Sequence, residues 1–261
     1  MAAVRTGLVT SDGIRLSVLE AGEGPVRLAF VPGWCMPASI WNGQFELLSP
    51  HFRVTALDPR GQGDSEIAAN GYGIERRADD IADFLAARRP SVLVAWSLAA
   101  LEVLECLARH GEDLLQGLVI VDSSVGVGPV PPRTDDFLEV LRSDRAAAME
   151  GFVRALFRSA RPEAEIQALL AQSLRMPLEA SLSLFPRHLP REHWRDRVTK
   201  FGKPLLYCVT AQFEQQAADL HRLRPQTRIE IFRDAGHALF VDQPERFAAM
   251  LREFALGLTA N

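Results

Sequence analysis

Short apolar runs rich in β-branched residues alternate along this sequence with stretches of helical periodicity. This alternation constrains the fold more than any other feature. The runs "SVLVAW" (91–96) and "GLVIVD" (117–122) are apolar at nearly every position, as expected of strands that are covered on both faces in a parallel sheet. Apolar residues recur at helical spacing in "ERRADDIADFLAARR" (75–89), "LAALEVLECLARHG" (98–111) and "PERFAAMLREFALGL" (244–258). The sequence therefore predicts a doubly wound α/β fold with a mostly parallel sheet. The eight predicted strands cover residues 4–10, 13–21, 26–31, 52–57, 91–96, 117–122, 204–209 and 227–232.

One interval interrupts the alternation. After "GPVPPR" (128–133), amphipathic helical segments follow one another up to about residue 200 without any strand pattern. About 70 residues of helix are more than a plain crossover between parallel strands needs. We therefore expect a helical cap at 129–199, inserted into an α/β core formed by 1–128 and 200–261. Such a cap would lie over the carboxyl edge of the sheet, where α/β proteins bind ligands. Ordinary surface helices are the alternative.

The composition argues against several classes of function. The net charge of −4 over 261 residues is not that of an electrostatic nucleic-acid binder. The three cysteines are few and widely spaced, which is typical of a reducing compartment and not of a disulfide framework. We see neither a secretory signal nor an apolar run of 18 residues, so we expect a cytoplasmic protein without a membrane span. The sequence does not indicate the oligomeric state.

Ser97 stands where a predicted strand turns directly into a predicted helix, within the sequence AWSLA (95–99). A serine on such a sharp turn projects its hydroxyl from the edge of the sheet, near a helix N-terminus. Glycines usually flank a serine of this kind because the turn is crowded. Alanine, the next smallest residue, flanks Ser97 on both sides of the turn. The alternative is that Ser97 only caps the helix.

The stretch "LAFVPGWCMPASIW" (28–41) contains a second candidate feature, a loop that follows a predicted strand. Backbone N–H groups in such a loop can stabilise a developing oxyanion, together with the N–H group after the nucleophile. These groups would be those of Trp34, or Cys35, and of Leu98. An ordinary strand-to-loop turn is the alternative.

His237 is the third candidate, in "FRDAGHALFVDQPERF" (232–247). It follows the last predicted strand and precedes a helix, so it can reach a neighbouring loop at the same edge of the sheet. A histidine placed in this way can act as a general base. A plain surface residue is the alternative.

These three features, in this order, resemble the α/β-hydrolase superfamily, and the resemblance runs through essentially the whole chain. It implies an α/β-hydrolase fold in which Ser97 is the nucleophile, His237 is the base, and the N–H groups of Trp34 and Leu98 form the oxyanion hole. It implies no metal and no cofactor. The glycines of the loop at 58–65 and Asp64 are expected to be structural. The matching stretches are "VPGWCMPASIW" (31–41), "FRVTALDPRGQGDSE" (52–66), "VAWSLAA" (94–100), "LVIVDSS" (118–124) and "DAGHALFVDQPERF" (234–247).

The acid of the triad departs from the usual pattern. The family needs a carboxylate to orient the histidine, and its usual place follows the seventh predicted strand. Phe213 stands there, and Glu214 comes one residue later, where a helix can begin. Some members, such as haloalkane dehalogenases, carry the acid after the preceding strand, where this chain has Asp122. We favour Asp122, with Glu214 as the alternative acid, and a chain without a functional acid remains open.

The expected activity is hydrolysis of a carboxylic ester or thioester through an acyl-enzyme intermediate. The turn at Ser97 resembles that of esterases such as the pimeloyl-acyl-carrier-protein methyl ester esterases. The stretch "VPGWC" (31–35) with a His–Asp dyad also resembles the cofactor-free 2,4-dioxygenases of the same fold. A non-catalytic binding protein is the third possibility. The expected partner is a small, apolar ester or thioester, with Cys35 and Trp96 lining its pocket.

Overall fold

The computed structural model of this chain describes residues 3–129 and 135–258. Within them are eight strands: β1 (Val4–Val9), β2 (Arg15–Ala21), β3 (Arg27–Val31), β4 (Arg53–Leu57), β5 (Val92–Trp96), β6 (Gly117–Val121), β7 (Leu205–Thr210) and β8 (Arg228–Phe232). They form one sheet in the order β1-β2-β4-β3-β5-β6-β7-β8. Strand β2 pairs antiparallel with β1 and β4, and the remaining pairs are parallel. The predicted fold class is confirmed.

Helices separate the parallel strands. The three that the periodicity predicted are α2 (Ile74–Arg88), α3 (Leu98–His110) and α11 (Pro244–Gly257), and each begins and ends within one residue of the expected positions. Short 3₁₀ turns occupy Ala38–Trp41, Glu112–Leu114 and Ala211–Phe213. The α-helices are α1 (Asn42–Leu48), α2 (Ile74–Arg88), α3 (Leu98–His110), α4 (Asp135–Ser143), α5 (Arg145–Ala155), α6 (Glu163–Ser173), α7 (Leu178–Ser183), α8 (Arg191–Lys200), α9 (Glu214–Leu223), α10 (Leu239–Asp242) and α11 (Pro244–Gly257).

Strand β5 explains why the sheet needs helices on both faces. Successive side chains of a strand point to opposite faces, and every residue of β5 is buried. Val92, Val94 and Trp96 pack in the cluster that includes α1, α10 and α11. Leu93 and Ala95 pack on the other face, with residues of α2, α3, α8 and α9. The continuous apolar run in the sequence is therefore the consequence of two-sided burial.

The carboxyl ends of the parallel strands bring the candidate residues to one edge of the sheet. Ser97 directly follows β5, Asp122 directly follows β6, and Gly33 lies two residues after β3. His237 lies in the loop between β8 and α10. Because β3 to β8 all run in the same direction, these loops share one edge.

Helices α4 to α8, here called the inserted helices, lie between β6 and β7. Leu141 and Met149 of this segment pack in one cluster with Trp34 and Leu98. Helix α8 differs, because its Val198 packs with α3 in the cluster on the sheet face. The division into a cap at 129–199 and a core stays a prediction, and residues 130–134 of its opening stretch lie outside the described residues.

None of the described helices is both long and apolar enough to cross a lipid bilayer. The same part of the chain contains no group of three or more His, Cys, Asp or Glu side chains placed to hold a metal ion. Cys35, Cys106 and Cys208 are buried and unbridged. The cytoplasmic location stays a prediction.

Candidate active site

Ser97 occupies a strained turn between β5 and α3. Its backbone has φ 58° and ψ −126°, a combination that residues with a side chain rarely adopt. Ala95 and Ala99, which replace the usual glycines, are both fully buried. The Ser97 side chain makes no capping hydrogen bond to α3, so the helix-cap alternative has no support in the geometry. The hydroxyl is directed elsewhere, to a histidine.

His237 connects the serine to a carboxylate. Its Nε2 lies 2.9 Å from Ser97 Oγ, and its Nδ1 lies 2.8 Å from Asp122 Oδ2. The loop between β8 and α10, which contains His237, is also held through its backbone, because the His237 carbonyl accepts a 2.9 Å hydrogen bond from Trp96 Nε1. An ionised carboxylate can only accept, so Nδ1 carries the proton and Nε2 is free to accept one from the serine.

Asp122 is fixed on its other side as well. Its side chain is 0% exposed, and its backbone has φ 43°. Oδ1 accepts hydrogen bonds from Thr210 N at 2.7 Å and Thr210 Oγ1 at 2.8 Å. The carboxylate therefore has partners on both oxygens, as a buried charge requires. Thr210 was not identified from the sequence, although it ends the very strand that normally precedes the family's acid.

Glu214, the alternative acid, is not brought to His237. It begins α9, and its side chain is 40% exposed. Its carboxylate forms an ion pair of 2.5 Å with Arg233. Asp64, expected to be structural, pairs with Arg5 at 2.7 Å.

The loop Gly33–Met36, here called the oxyanion loop, lies directly against the serine. A Cβ atom added to Gly33 would stand 3.0 Å from Ser97 Cβ and 3.3 Å from a ring carbon of Trp96, closer than nearly all real contacts. A side chain at this position would have to displace these neighbours by a few tenths of an ångström. Leu98 is the first residue of α3, so its N–H has no acceptor within the helix. The assignment of Trp34 and Leu98 to an oxyanion hole stays a prediction.

Cys35 and Trp96 lie next to the site but are almost fully buried. Burial raises the pKa of the Cys35 thiol to about 12 despite the charges of Arg145 and Arg77, so this cysteine is not a reactive thiolate at neutral pH. Trp96 packs in the hydrophobic cluster with α1, α10 and α11, and its indole N–H donates a hydrogen bond to the His237 carbonyl. Their contact with a substrate stays a prediction.

An aromatic wall surrounds Trp34. Its indole ring packs against Phe137, Phe152 and Phe185 with ring centroids 5.7, 5.1 and 5.4 Å apart. Its Nε1 donates a 2.7 Å hydrogen bond to the Ser181 carbonyl in α7. The three phenylalanines are only partly buried, so the inserted helices present apolar surface beside the oxyanion loop.

Asp242 was also missed in the sequence, because nothing local shows which N–H groups it contacts. Its carboxylate accepts hydrogen bonds from the N–H groups of Gly236, Arg158 and Ser159, at 2.7, 2.9 and 2.9 Å. Burial alone would raise the pKa of Asp242. The Ser159 hydroxyl and these N–H groups outweigh burial and lower the pKa. The carboxylate therefore joins the His237 loop to the segment that follows α5.

Comparisons with known proteins identify the family of this chain. The profile of the alpha/beta hydrolase family matches residues 28–250. The chain is 29% identical over 252 residues to the pimeloyl-acyl-carrier-protein methyl ester esterase of Vibrio cholerae, a match that covers 90% of this chain and 96% of that protein. An esterase from Exiguobacterium antarcticum superposes with a TM-score of 0.84 at 22% identity, covering 97% of this chain and 99% of that one. An esterase from Rhodococcus sp. ECU1013 gives 0.82 at 24% identity, covering 99% and 100%.

The match to the family profile extends from β3 into α11 and so includes every candidate catalytic residue. The structural likeness extends over the whole sheet and its helices. The resemblance inferred from the sequence is confirmed: the chain belongs to the α/β-hydrolase family.

Proposed function

We propose that this chain is a serine hydrolase that cleaves a carboxylic ester or thioester through an acyl-enzyme intermediate. The observation that carries the proposal is the unbroken hydrogen-bonded series Asp122–His237–Ser97, with distances of 2.8 and 2.9 Å. A serine is a weak nucleophile until an adjacent base accepts its proton. Here the base is adjacent, and a buried carboxylate orients it.

The mechanism follows from this series. His237 Nε2 takes the proton of Ser97 as Oγ attacks the carbonyl carbon, and Asp122 stabilises the imidazolium that forms. The N–H groups of Trp34 and Leu98 stabilise the oxyanion. His237 then gives its proton to the leaving group. In the second half it activates a water molecule, which releases the acyl group from Ser97.

The substrate class is supported by the surroundings of Trp34 and by the relatives. The partly exposed rings of Phe137, Phe152 and Phe185 offer apolar surface to an acyl chain. The relative from Vibrio cholerae is named for a methyl ester, which favours an oxygen ester over a thioester. We therefore propose an ester with an apolar acyl group as the substrate.

Kinetics with p-nitrophenyl esters of graded acyl length test the proposal. The wild-type protein should hydrolyse them, and Ser97→Ala and His237→Ala should each lower kcat by roughly 10⁴–10⁶-fold. The double variant should lose little more, because residues that act as one unit are not additive. Circular dichroism of each variant checks that the fold is retained.

Two outcomes would overturn the proposal. Turnover that survives Ser97→Ala but is lost in His237→Ala, with oxygen uptake on a 3-hydroxy-4-quinolone, would indicate a dyad dioxygenase. Failure of a fluorophosphonate to label Ser97 would indicate a binding protein without chemistry. The direct contact between Ser97 Oγ and His237 Nε2 favours hydrolysis over both.

A further inference from the structure

A buried glutamine holds the oxyanion loop from behind. Gln62 lies in the loop after β4 and is 1% exposed. Its amide Nε2 donates hydrogen bonds to the carbonyl oxygens of Gly33 at 3.0 Å and Met36 at 2.8 Å. These two bonds fix both ends of the oxyanion loop.

The bond to Gly33 also sets the direction of the next N–H group. The Gly33 carbonyl and the Trp34 N–H belong to one planar peptide unit, and in a trans peptide the two groups point in opposite directions. The peptide is trans, since the described residues contain no cis bond. With the carbonyl bound to Gln62, the Trp34 N–H points away from Gln62.

The amide oxygen of Gln62 is linked through two further side chains to α3, the helix that begins with the N–H group of Leu98. Gln62 Oε1 accepts a 3.3 Å hydrogen bond from Arg77 Nη2. Arg77 in turn donates to both carboxylate oxygens of Glu102, at 2.9 and 3.1 Å. Glu102 lies in α3, one helical turn after Leu98. The series therefore connects the oxyanion loop with the helix whose first N–H is that of Leu98.

The ion pair within this series is buried. Arg77 and Glu102 are both almost fully buried, and burial raises the pKa of Glu102 although Arg77 opposes the shift. Buried ion pairs often contribute less to stability than apolar side chains of the same size would. A role in fixing geometry gives a reason for such a pair to lie between Gln62 and α3.

We propose that Gln62, held in place by Arg77 and Glu102, is a positioning residue that keeps the Trp34 and Leu98 N–H groups directed at the oxyanion. This role rests on the proposed function. Gln62 touches neither the substrate nor the reacting atoms, and it acts through the peptide between Gly33 and Trp34.

The variant Gln62→Met tests the role, because methionine has a similar length but no N–H donor. With p-nitrophenyl esters we expect kcat to fall about 10–100-fold, somewhat less than the loss of a whole oxyanion donor, with KM within about threefold. The pH profile of kcat should keep its shape, because Asp122 and His237 are untouched. End-point titration with a fluorophosphonate gives the concentration of folded sites.

An oxyanion analogue separates positioning from a loss of stability. An alkyl trifluoromethyl ketone adds to Ser97, and the oxygen of its adduct occupies the oxyanion hole. Its inhibition constant should rise in Gln62→Met by about the factor by which kcat/KM falls. An unchanged constant beside a lower kcat would overturn the proposal.

Gln44→Met is the matched control. Gln44 is also buried, and its Nε2 also donates to two backbone carbonyls, those of Phe240 at 2.9 Å and Pro244 at 3.1 Å. We expect this variant to lower the melting temperature but to keep kcat within about twofold. An equal loss of kcat in Gln44→Met would overturn the role of Gln62. If Gln62→Met does not fold, Gln62→Asn, whose amide is one methylene too short for both carbonyls, should give the same kinetic result.

The two proposals fail in different ways. A wild-type protein that hydrolyses esters beside a Gln62→Met variant with unchanged kcat would overturn the role of Gln62 alone. A wild-type protein that hydrolyses no ester, and whose Ser97 is not labelled, would overturn the proposed function and with it this role.

Discussion

At the scale of single residues, backbone strain is concentrated where the chemistry is proposed. Ser97, Cys35 and Asp122 have φ angles of 58°, 57° and 43°, although none is a glycine. Arg89, the fourth such residue among those described, is the C-cap of α2 and precedes β5, at the opposite end of that strand from Ser97. Positive φ at non-glycine residues costs free energy and persists where the surroundings impose it. Ser97 and Asp122 cannot be replaced by glycine without loss of the groups that contact His237.

The choice between the two candidate acids gives a prediction at this scale. Asp122→Asn should lower kcat/KM of ester hydrolysis by roughly 10³–10⁴-fold, because an amide NH₂ facing Nδ1 favours the wrong histidine tautomer. Glu214→Gln should leave kcat/KM within about twofold, since Glu214 contacts Arg233 and not His237. Steady-state kinetics of both variants with one p-nitrophenyl ester provide the measurement. A large loss in Glu214→Gln would restore it as the acid.

At the scale of elements, the loop that carries His237 is tied to the inserted helices. The Ala238 N–H donates a 2.8 Å hydrogen bond to the Leu156 carbonyl, next to the end of α5. Gly236 packs so closely on this segment that an added Cβ would lie 2.8 Å from Arg158 N. Asp242 adds the carboxylate bonds described above. The position of His237 therefore depends on the position of the inserted helices relative to the sheet.

This connection gives a prediction with a defined pH dependence. Because the folded state lowers the pKa of Asp242, its ionised carboxylate stabilises the fold above the ordinary carboxyl pKa. That contribution is lost as the pH falls through the lowered value. The difference in free energy of unfolding between the wild type and Asp242→Asn should be largest near neutral pH and shrink in acid. At pH 7, kcat should fall roughly 3–10-fold as the His237 loop loosens.

Asp234→Asn is the control for this prediction. Asp234 lies in the same loop, but its side chain is 86% exposed and its ion pair with Arg158 is long, at 3.9 Å. Removing its charge should therefore change stability and kcat little. Urea unfolding at pH 7 and at about pH 2.5, below the ordinary carboxyl pKa of about 3.9, measures the stability differences. A constant difference at both pH values would contradict the assignment to the Asp242 carboxylate.

At the scale of the whole molecule, the sequence predicted what local patterns determine. The boundaries of β5 and β6 lie within one residue of the predicted ones, because burial on both faces makes every position of such a strand apolar. Ser97 and His237 could be found because they follow strands that end at one edge. The sequence left the choice of acid open, since Asp122 is fixed by Thr210, 88 residues away. Gln62 was missed for the same reason, because its partners at Gly33 and Met36 precede it by 29 and 26 residues.

The strain at Ser97 predicts a trade between stability and activity for the whole protein. Ser97→Ala and Ser97→Gly both remove the nucleophile, so both should abolish ester hydrolysis. Only glycine relieves the backbone strain at φ 58°, because it has no Cβ atom. The relief is worth about 1–3 kcal/mol, and the greater freedom of glycine in the unfolded chain offsets about 0.5–1 kcal/mol of it. The free energy of unfolding of Ser97→Gly, measured by urea titration, should therefore be about 1 kcal/mol higher than that of Ser97→Ala.

Because both variants lack the hydroxyl, the difference between their free energies of unfolding reports the backbone strain alone. If Ser97→Gly is the less stable of the two, the turn stores no strain and the AWSLA sequence carries no cost in stability.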